Sequence, residues 1–319
     1  MNAFFHISLF ILIVFIYIHI VHQLKKGTDL EIYEMDYASN SQFQEVCNIK
    51  QPVLFKYDDI NPHFFKKLDT DNLDILNPYD VKVKDIRDYY TEDTESIDYT
   101  VMTYKSAETL INTDTKSSYF TENNHTLVDD AGLFKTFQTN DDFFKPPFTV
   151  VTHYDILTGS KKTHTPLRYH TNERYLLCVV SGKITIKMTP WKNCKLLYPN
   201  NDYDIYEFWS PINVWKPQRK YYHEMDKMKF LEFDVTPGYV LNIPPYWWYS
   251  IKYSNDSDNI VTAFTYNSVM NCISNIPNTC LYFMQQQNIK KRVSKIISND
   301  IPISTEDKNE DNTEISDSI

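Results

Sequence analysis

Glycine is scarce in this chain: five residues in 319, at positions 27, 132, 159, 182 and 238. No two stand close enough for a P-loop or a GxGxxG turn, so both phosphate-cradling devices are excluded. Cysteine is also sparse. Cys47, Cys178, Cys194, Cys272 and Cys280 are odd in number and lack CxxC spacing, which supports neither a zinc site nor a disulfide framework. Cys178, inside the apolar run YLLCVV, reads as a small buried hydrophobe, while Cys272 and Cys280 are free to pair in an oxidising compartment. Excess positive charge is missing too. The net charge is −10 and the pI about 5.4, with basic clusters confined to Lys25-Lys26, Lys161-Lys162 and Lys290-Lys291-Arg292. That balance excludes nucleic acid as a partner. Finally, the one Gly-Ser pair, Gly159-Ser160, lacks the GxSxG elbow of a serine hydrolase.

Charge of either sign is absent from residues 1–24, where Phe4 to Val21 is a nearly continuous apolar run. Its length approaches the roughly 20 residues that cross a bilayer core. A signal peptide would carry a shorter apolar region, a preceding basic residue and small residues at the cut. Residues 1–26 are therefore expected to form an uncleaved, single-pass transmembrane anchor, with His6, His19 and His22 as polar residues near the membrane interfaces rather than ligands. Lys25-Lys26 after the span places the main domain on the cytosolic side by the positive-inside rule. Two glycosylation tripeptides, at Asn124 and Asn255, point the other way. The far end is acidic and polar, so residues from about 298 are expected to be disordered.

Between these ends the texture changes once. Residues 27–145 mix short apolar runs with acidic loops and read as a flanking region packed on the core. Within it, Ser41 is the expected cap of a helix that runs into the strand PVLF. From residue 146 strand signals recur: FTVVTHYDIL, ERYLLCVV, KITIKM, MKFLEFDV, YVLNI, WWYSIKY and NIVTAFTY, with turns at Gly159, Gly182 and Pro237-Gly238 between them. Closely spaced strands of this kind predict an all-β sandwich or barrel. Residues 268–297 have a helical pattern interrupted at Pro277, and 286–319 read as a basic, then acidic tail. Trp247 and Trp248 are adjacent on a strand and should face opposite ways.

The segments TPLRYHTNERYLLCVVSGKITIKMTP and TPGYVLNIPPYWWYSI resemble the cupin-like branch of the JmjC-type oxygenases, and QPVLFKY resembles that branch's entry strand. The resemblance spans roughly residues 31–285, with the jelly-roll core and the first C-terminal helices over 146–285. It implies a mainly β fold, a double-stranded β-helix with flanking helices. It also implies an Fe(II) and 2-oxoglutarate site built from a His-x-Asp motif and a distal His. Matched to that pattern, the first His falls at Arg168, the Asp at His170 and the distal His at Tyr249. Arg168 carries a guanidinium that does not deprotonate, and Tyr249 would ligate only as a phenolate. His170 alone remains a competent ligand. The resemblance further places Thr165 and Lys183 on the co-substrate side, Lys183 alternatively being a solvent-facing lysine after a turn. Ala263 stands where related proteins often carry Asn.

Two other strings carry motif-like spacing. His153-Tyr154-Asp155 is a literal His-x-Asp, but one strand too early, and His223 is the last histidine. Asp69-Thr70-Asp71 and Asp202-Tyr203-Asp204 match the DxD of glycosyltransferases, yet the strands lack the intervening helices of an α/β sheet. The expectation is thus a membrane-anchored, cupin-like domain with a degenerate metal pocket at Arg168, His170 and Tyr249. No cofactor is expected, and the role is a non-catalytic binding or structural module for a protein partner or a small anionic ligand. The alternatives are an active oxygenase with an unorthodox metal site and a membrane-anchored glycosyltransferase. In the pocket Arg168 must find an anion, either a bound ligand or a carboxylate of the chain itself.

Overall fold

The strand that breaks at Pro244-Pro245 resumes in a different sheet. In the computed structural model, which describes residues 2–68, 70–91, 99–255 and 259–288, Tyr246 takes a left-handed φ of 64°. Its N–H donates to the His170 carbonyl at 2.9 Å. The two prolines cannot extend a ladder, and the turn at Tyr246 carries the chain across the barrel wall.

The strands in chain order are β1 (Tyr33–Glu34), β2 (Val53–Lys56), β3 (Asp80–Asp85), β4 (Thr100–Thr103), β5 (Tyr119–Thr121), β6 (Thr149–Gly159), β7 (Arg168–Tyr169), β8 (Arg174–Ser181), β9 (Ile184–Thr189), β10 (Asn200–Asp202), β11 (Glu207–Trp209), β12 (Leu231–Val235), β13 (Tyr239–Ile243), β14 (Trp248–Tyr253) and β15 (Ile260–Ser268). They form two sheets among the described residues, ordered β1-β2-β13-β8-β15-β6-β5-β3-β4 and β10-β11-β7-β14-β9-β12. From β6 onward the chain passes between the sheets repeatedly: β6, β8, β13 and β15 lie in the first, β7, β9, β12 and β14 in the second. This is the winding of a jelly roll. The fold is mainly β, as the strand pattern predicts.

Alternation along β8 shows how the layers are filled. Leu177 and Val179 face the second sheet, together with Ile186, Leu241, Ile251 and Val261. Leu176 and Cys178 face outward into an aromatic layer with Phe43, Phe55, Tyr57 and Phe144. Cys178 is a buried free thiol, as the apolar run implies. The two tryptophans divide as expected. Trp247 joins the inter-sheet core and Trp248 a separate cluster with Leu167, Leu197 and Ile212, both fully buried.

Residues 27–145 are continuous with the core rather than laid upon it, since β2 pairs with β13 and β5 with β6. The helix there spans Asn40–Cys47, and its cap is Ser39, not Ser41. Ser39 has the extended φ of −159° that lets its oxygen accept from the Gln42 N–H; Ser41 already lies inside the helix. The segments at β10 and β11 carry too little alternation to announce strands. Near the C-terminus the pattern divides into helices Val269–Ser274 and Ile276–Asn288, because Pro277 is tolerated only in the first turn of a new helix. The expected disordered tail lies outside the described residues, as do Asp69 and most of the loop TEDTESID. The N-terminal helix spans Asn2–Gln23, and Phe4–Gln23 is long and apolar enough to cross a membrane.

Candidate functional site

Arg168, His170 and Tyr249 converge. Tyr249 on β14 is the direct ladder partner of Arg168 on β7, and the Arg168 guanidinium carbon lies 5.6 Å from the Tyr249 ring centroid. The His170 and Tyr249 rings stand 6.0 Å apart. All three are buried and line one cavity of about 680 Å³ between the sheets.

The anion that Arg168 requires comes from the chain. Its Nη2 is ion-paired with Glu122, next to β5, and its Nη1 lies 3.5 Å from Glu207 on β11. Lys84 on β3 completes the network, 3.0 Å from Glu122 and 2.6 Å from Glu207, and the Tyr89 hydroxyl donates to Glu207 at 2.8 Å. Two cations and two carboxylates cancel, with every member nearly dry. Burial opposes ionisation of Glu122, but the Arg168 guanidinium and the Lys84 ammonium outweigh it and hold the carboxyl below its usual range. Burial likewise opposes the Lys84 charge, and Glu207 and Glu122 overcome it. Reading the sequence alone misses Lys84, Glu122 and Glu207. The available signal is that a barrel-facing arginine demands carboxylates from neighbouring strands, which says nothing of where in the sequence those strands lie.

His170 is neutral. Burial and then the Arg168 charge push it down to about 3, and its Nε2–H donates to the Ile243 carbonyl at 3.1 Å. Burial raises the Tyr249 phenol, and the Arg168 guanidinium only partly offsets this. A phenolate at neutral pH is therefore further from reach than in water.

Thr165 and Lys183 are not part of the pocket. The Thr165 hydroxyl accepts from the Ile251 N–H at 2.9 Å, and its carbonyl accepts from Ser250 Oγ at 2.6 Å. It fastens the chain to β14. Lys183 sits just past the Gly182 turn, which has a φ of 72°, and its ammonium bonds Asp234 at 2.9 Å on the half-exposed side. The solvent-facing alternative for Lys183 is the one observed.

His153 and Asp155 point into the same cavity from β6. Asp155 accepts from the Ile156 N–H at 2.8 Å and the Asn124 N–H at 3.3 Å, yet burial pushes its carboxyl up to about 7. Ala263 is its ladder partner on β15. His153 stacks on His125 at 4.6 Å between centroids; burial and the neighbouring imidazole push His125 down to about 4. In Asp202-Tyr203-Asp204, Asp202 accepts from the Asp204 and Ile205 N–H groups and caps a turn.

An Fe(II) site does not fit these residues. A facial triad needs two imidazoles and a carboxylate with free lone pairs on one face. Here a guanidinium occupies one position and a neutral phenol another, so that His170, whose Nε2–H donates to a carbonyl and whose Nδ1 is unpartnered, is a single ligand without the two others of a triad. Among the described residues no group of three or more His, Cys, Asp or Glu side chains is placed to hold a metal ion.

Comparison with known proteins agrees with the architecture. The sequence profile of the cupin-like domain matches residues 24–272. JmjC domain-containing protein D of Dictyostelium discoideum is 28% identical over 102 residues, 32% of this chain and 22% of that protein. HSPB1-associated protein 1 of Bos taurus is 30% identical over 95 residues, 30% of this chain and 20% of that protein; its Homo sapiens counterpart is 28% identical over 95 residues. The aligned segment thus covers about a fifth of these relatives' length. With the profile matched over most of its length and two sheets wound as a jelly roll, the chain belongs to the cupin-like domain family.

Proposed function

We propose that the protein is a non-catalytic cupin-like binding module, held on a membrane by its N-terminal helix with the domain on the cytosolic side. The observation that carries the reading is the Arg168–Glu122 ion pair at the position where the family resemblance puts the first metal ligand. A guanidinium there has no lone pair to offer a metal, and its pairing with a carboxylate fills the place of the first ligand with a closed ion pair. The structure bears on the choice of ligand as well. Arg168 is neutralised by Glu122 and Glu207, and Lys183 is engaged with Asp234 outside the cavity. The case for an anionic ligand therefore weakens, and a neutral group with both donor and acceptor atoms suits the cavity better. Asp155, His153, Thr265 and Asn267 on its wall supply polar contacts of that kind.

Orientation rests on Lys25-Lys26 behind the span. The opposing glycosylation signal loses force at Asn124, which is 5% exposed and accepts the Lys82 N–H at 2.7 Å. A protein partner is part of the proposal, consistent with relatives that are named for association with HSPB1. The test is an assay for uncoupled 2-oxoglutarate turnover with Fe(II) and ascorbate, in parallel with thermal-shift screening of neutral amides and polyols. Absent turnover together with a saturable shift that Asp155→Ala removes is the expected result. Turnover abolished by His170→Ala would overturn the proposal.

A further inference from the structure

The N-terminal helix is too short to cross a bilayer if the domain stays clear of the lipid. Ile16, His19 and Ile20 are half-buried and Gln23 is buried. They lie at i, i+3, i+4 and i+7, one helical face, and the helix packs on Val269–Ser274. Gln23 also meets Asn271 at 3.5 Å. Among the described residues, Phe4 to Phe15 is the stretch exposed on every face, about 18 Å of helix at 1.5 Å per residue. A hydrocarbon core is about 30 Å thick. The missing two fifths, about 12 Å, must come from the turns alongside Val269–Ser274, which puts that helix and its surroundings at the level of the membrane interface.

Those surroundings are apolar and uncovered. Phe148 is 85% exposed and its carbonyl accepts the Val269 N–H. It holds a left-handed φ of 57°, unfavourable for a bulky side chain, without burying its ring. On the next helix Ile276, Cys280, Phe283 and Met284 recur at i, i+4, i+7 and i+8 and are all exposed. The opposite face of that helix is tied down: Asn278 to Tyr203, Tyr282 against Tyr206 and Gln286 to the Asp204 carbonyl.

We infer that the domain is seated in the bilayer surface, with Phe148 and the Ile276–Cys280–Phe283–Met284 stripe in the headgroup–acyl boundary beside the spanning helix. Amphipathic helices lie at that depth, several ångströms into the boundary, by burying such a face. The inference rests on the reading of the N-terminal helix as a span. Its physical content is that the anchor alone does not set the domain's height; a second, lipid-facing surface does. The mouth of the cavity is then held in one orientation to the membrane.

The test uses the full chain in phosphatidylcholine vesicles. Cys194→Ser and Cys272→Ser leave Cys280 as the exposed thiol among the described residues, to be labelled with an environment-sensitive dye. A second protein carries Phe148→Cys with Cys280→Ser in the same background. Expected at both positions is a blue-shifted emission, quenched at least about twofold by lipids with nitroxide on the acyl chain and little by aqueous iodide. Carbonate-resistant protein whose dyes respond to iodide alone would leave the span standing and overturn the seating. A blue-shifted dye quenched by neither reagent would mean a second copy covers the stripe, and also overturns it. Release of the chain by carbonate would sink the span itself, and the seating with it.

Discussion

Replacing Arg168 by Met removes one of two cations from a network that is neutral as it stands. Glu122 and Glu207 would then share Lys84 alone, leaving one uncompensated negative charge among side chains no more than 8% exposed. At the effective dielectric of about 20 that suits such sites, unit charges 3.5 Å apart, the Arg168–Glu207 separation, attract by roughly 5 kcal/mol. Removing one partner of a buried pair typically costs about 3–5 kcal/mol, mostly the penalty of the stranded charge. Arg168→Met should therefore lower the melting temperature by on the order of 10 °C. The double variant Arg168→Met, Glu122→Gln removes one charge of each sign and keeps the Lys84–Glu207 pair. It should regain at least about 2 kcal/mol. The assay is urea unfolding of the chain in mild detergent, followed by fluorescence of its five tryptophans. Additivity of the two changes within about 0.5 kcal/mol would refute the reasoning, since it would mean that the two side chains do not interact.

Three further outcomes follow from the same structure. Trp247→Ala and Trp248→Ala should each cost about 3–5 kcal/mol in the same unfolding assay; unchanged stability of either would place that ring on the surface. Gly238→Ala should destabilise by more than about 1 kcal/mol, because Gly238 holds a φ of 88° and a Cβ there would stand 2.6 Å from Asp58 Oδ2. Acidification should destabilise the domain through its buried imidazoles. Burial holds His170 at about 3, and His125 and His164 at about 4, below the ordinary 6.5. A lowered histidine pKa means the fold prefers the neutral ring. That stability is complete above about pH 6.5 and is lost as the pH falls toward the folded pKa, about 2 kcal/mol or more for His170 alone by pH 4.5. A His170→Phe chain should show a shallower stability loss over that window, and an identical slope would remove His170 from the account.

The strands of the core are legible in the sequence because each carries its own signal. ERYLLCVV and KITIKM alternate or run apolar between Gly182 and neighbouring turns, and they become β8 and β9. The adjacent tryptophans needed only the two-residue period of a strand. Convergence of Arg168, His170 and Tyr249 was legible through family resemblance, not through composition. The ion-pair network was not. Lys84 is 38 residues from Glu122 and 123 from Glu207, and no local pattern encodes which strand of another segment will lie opposite. The network's carboxylates thus come from the region read as a flank and from β11, a strand whose three residues give no period to detect. Lys183 shows the opposite failure, since its place after a turn fixes its position in the chain but not the direction of its side chain.

The central claim is that the pocket at Arg168, His170 and Tyr249 does not hold iron, and metal analysis tests it most directly. The full chain is loaded anaerobically with excess Fe(II), passed over a desalting column and assayed for iron per protein. The account predicts substoichiometric iron, no different in His170→Ala, and no change when Glu122 and Arg168 are replaced together. Near-stoichiometric iron that disappears in His170→Ala would contradict it.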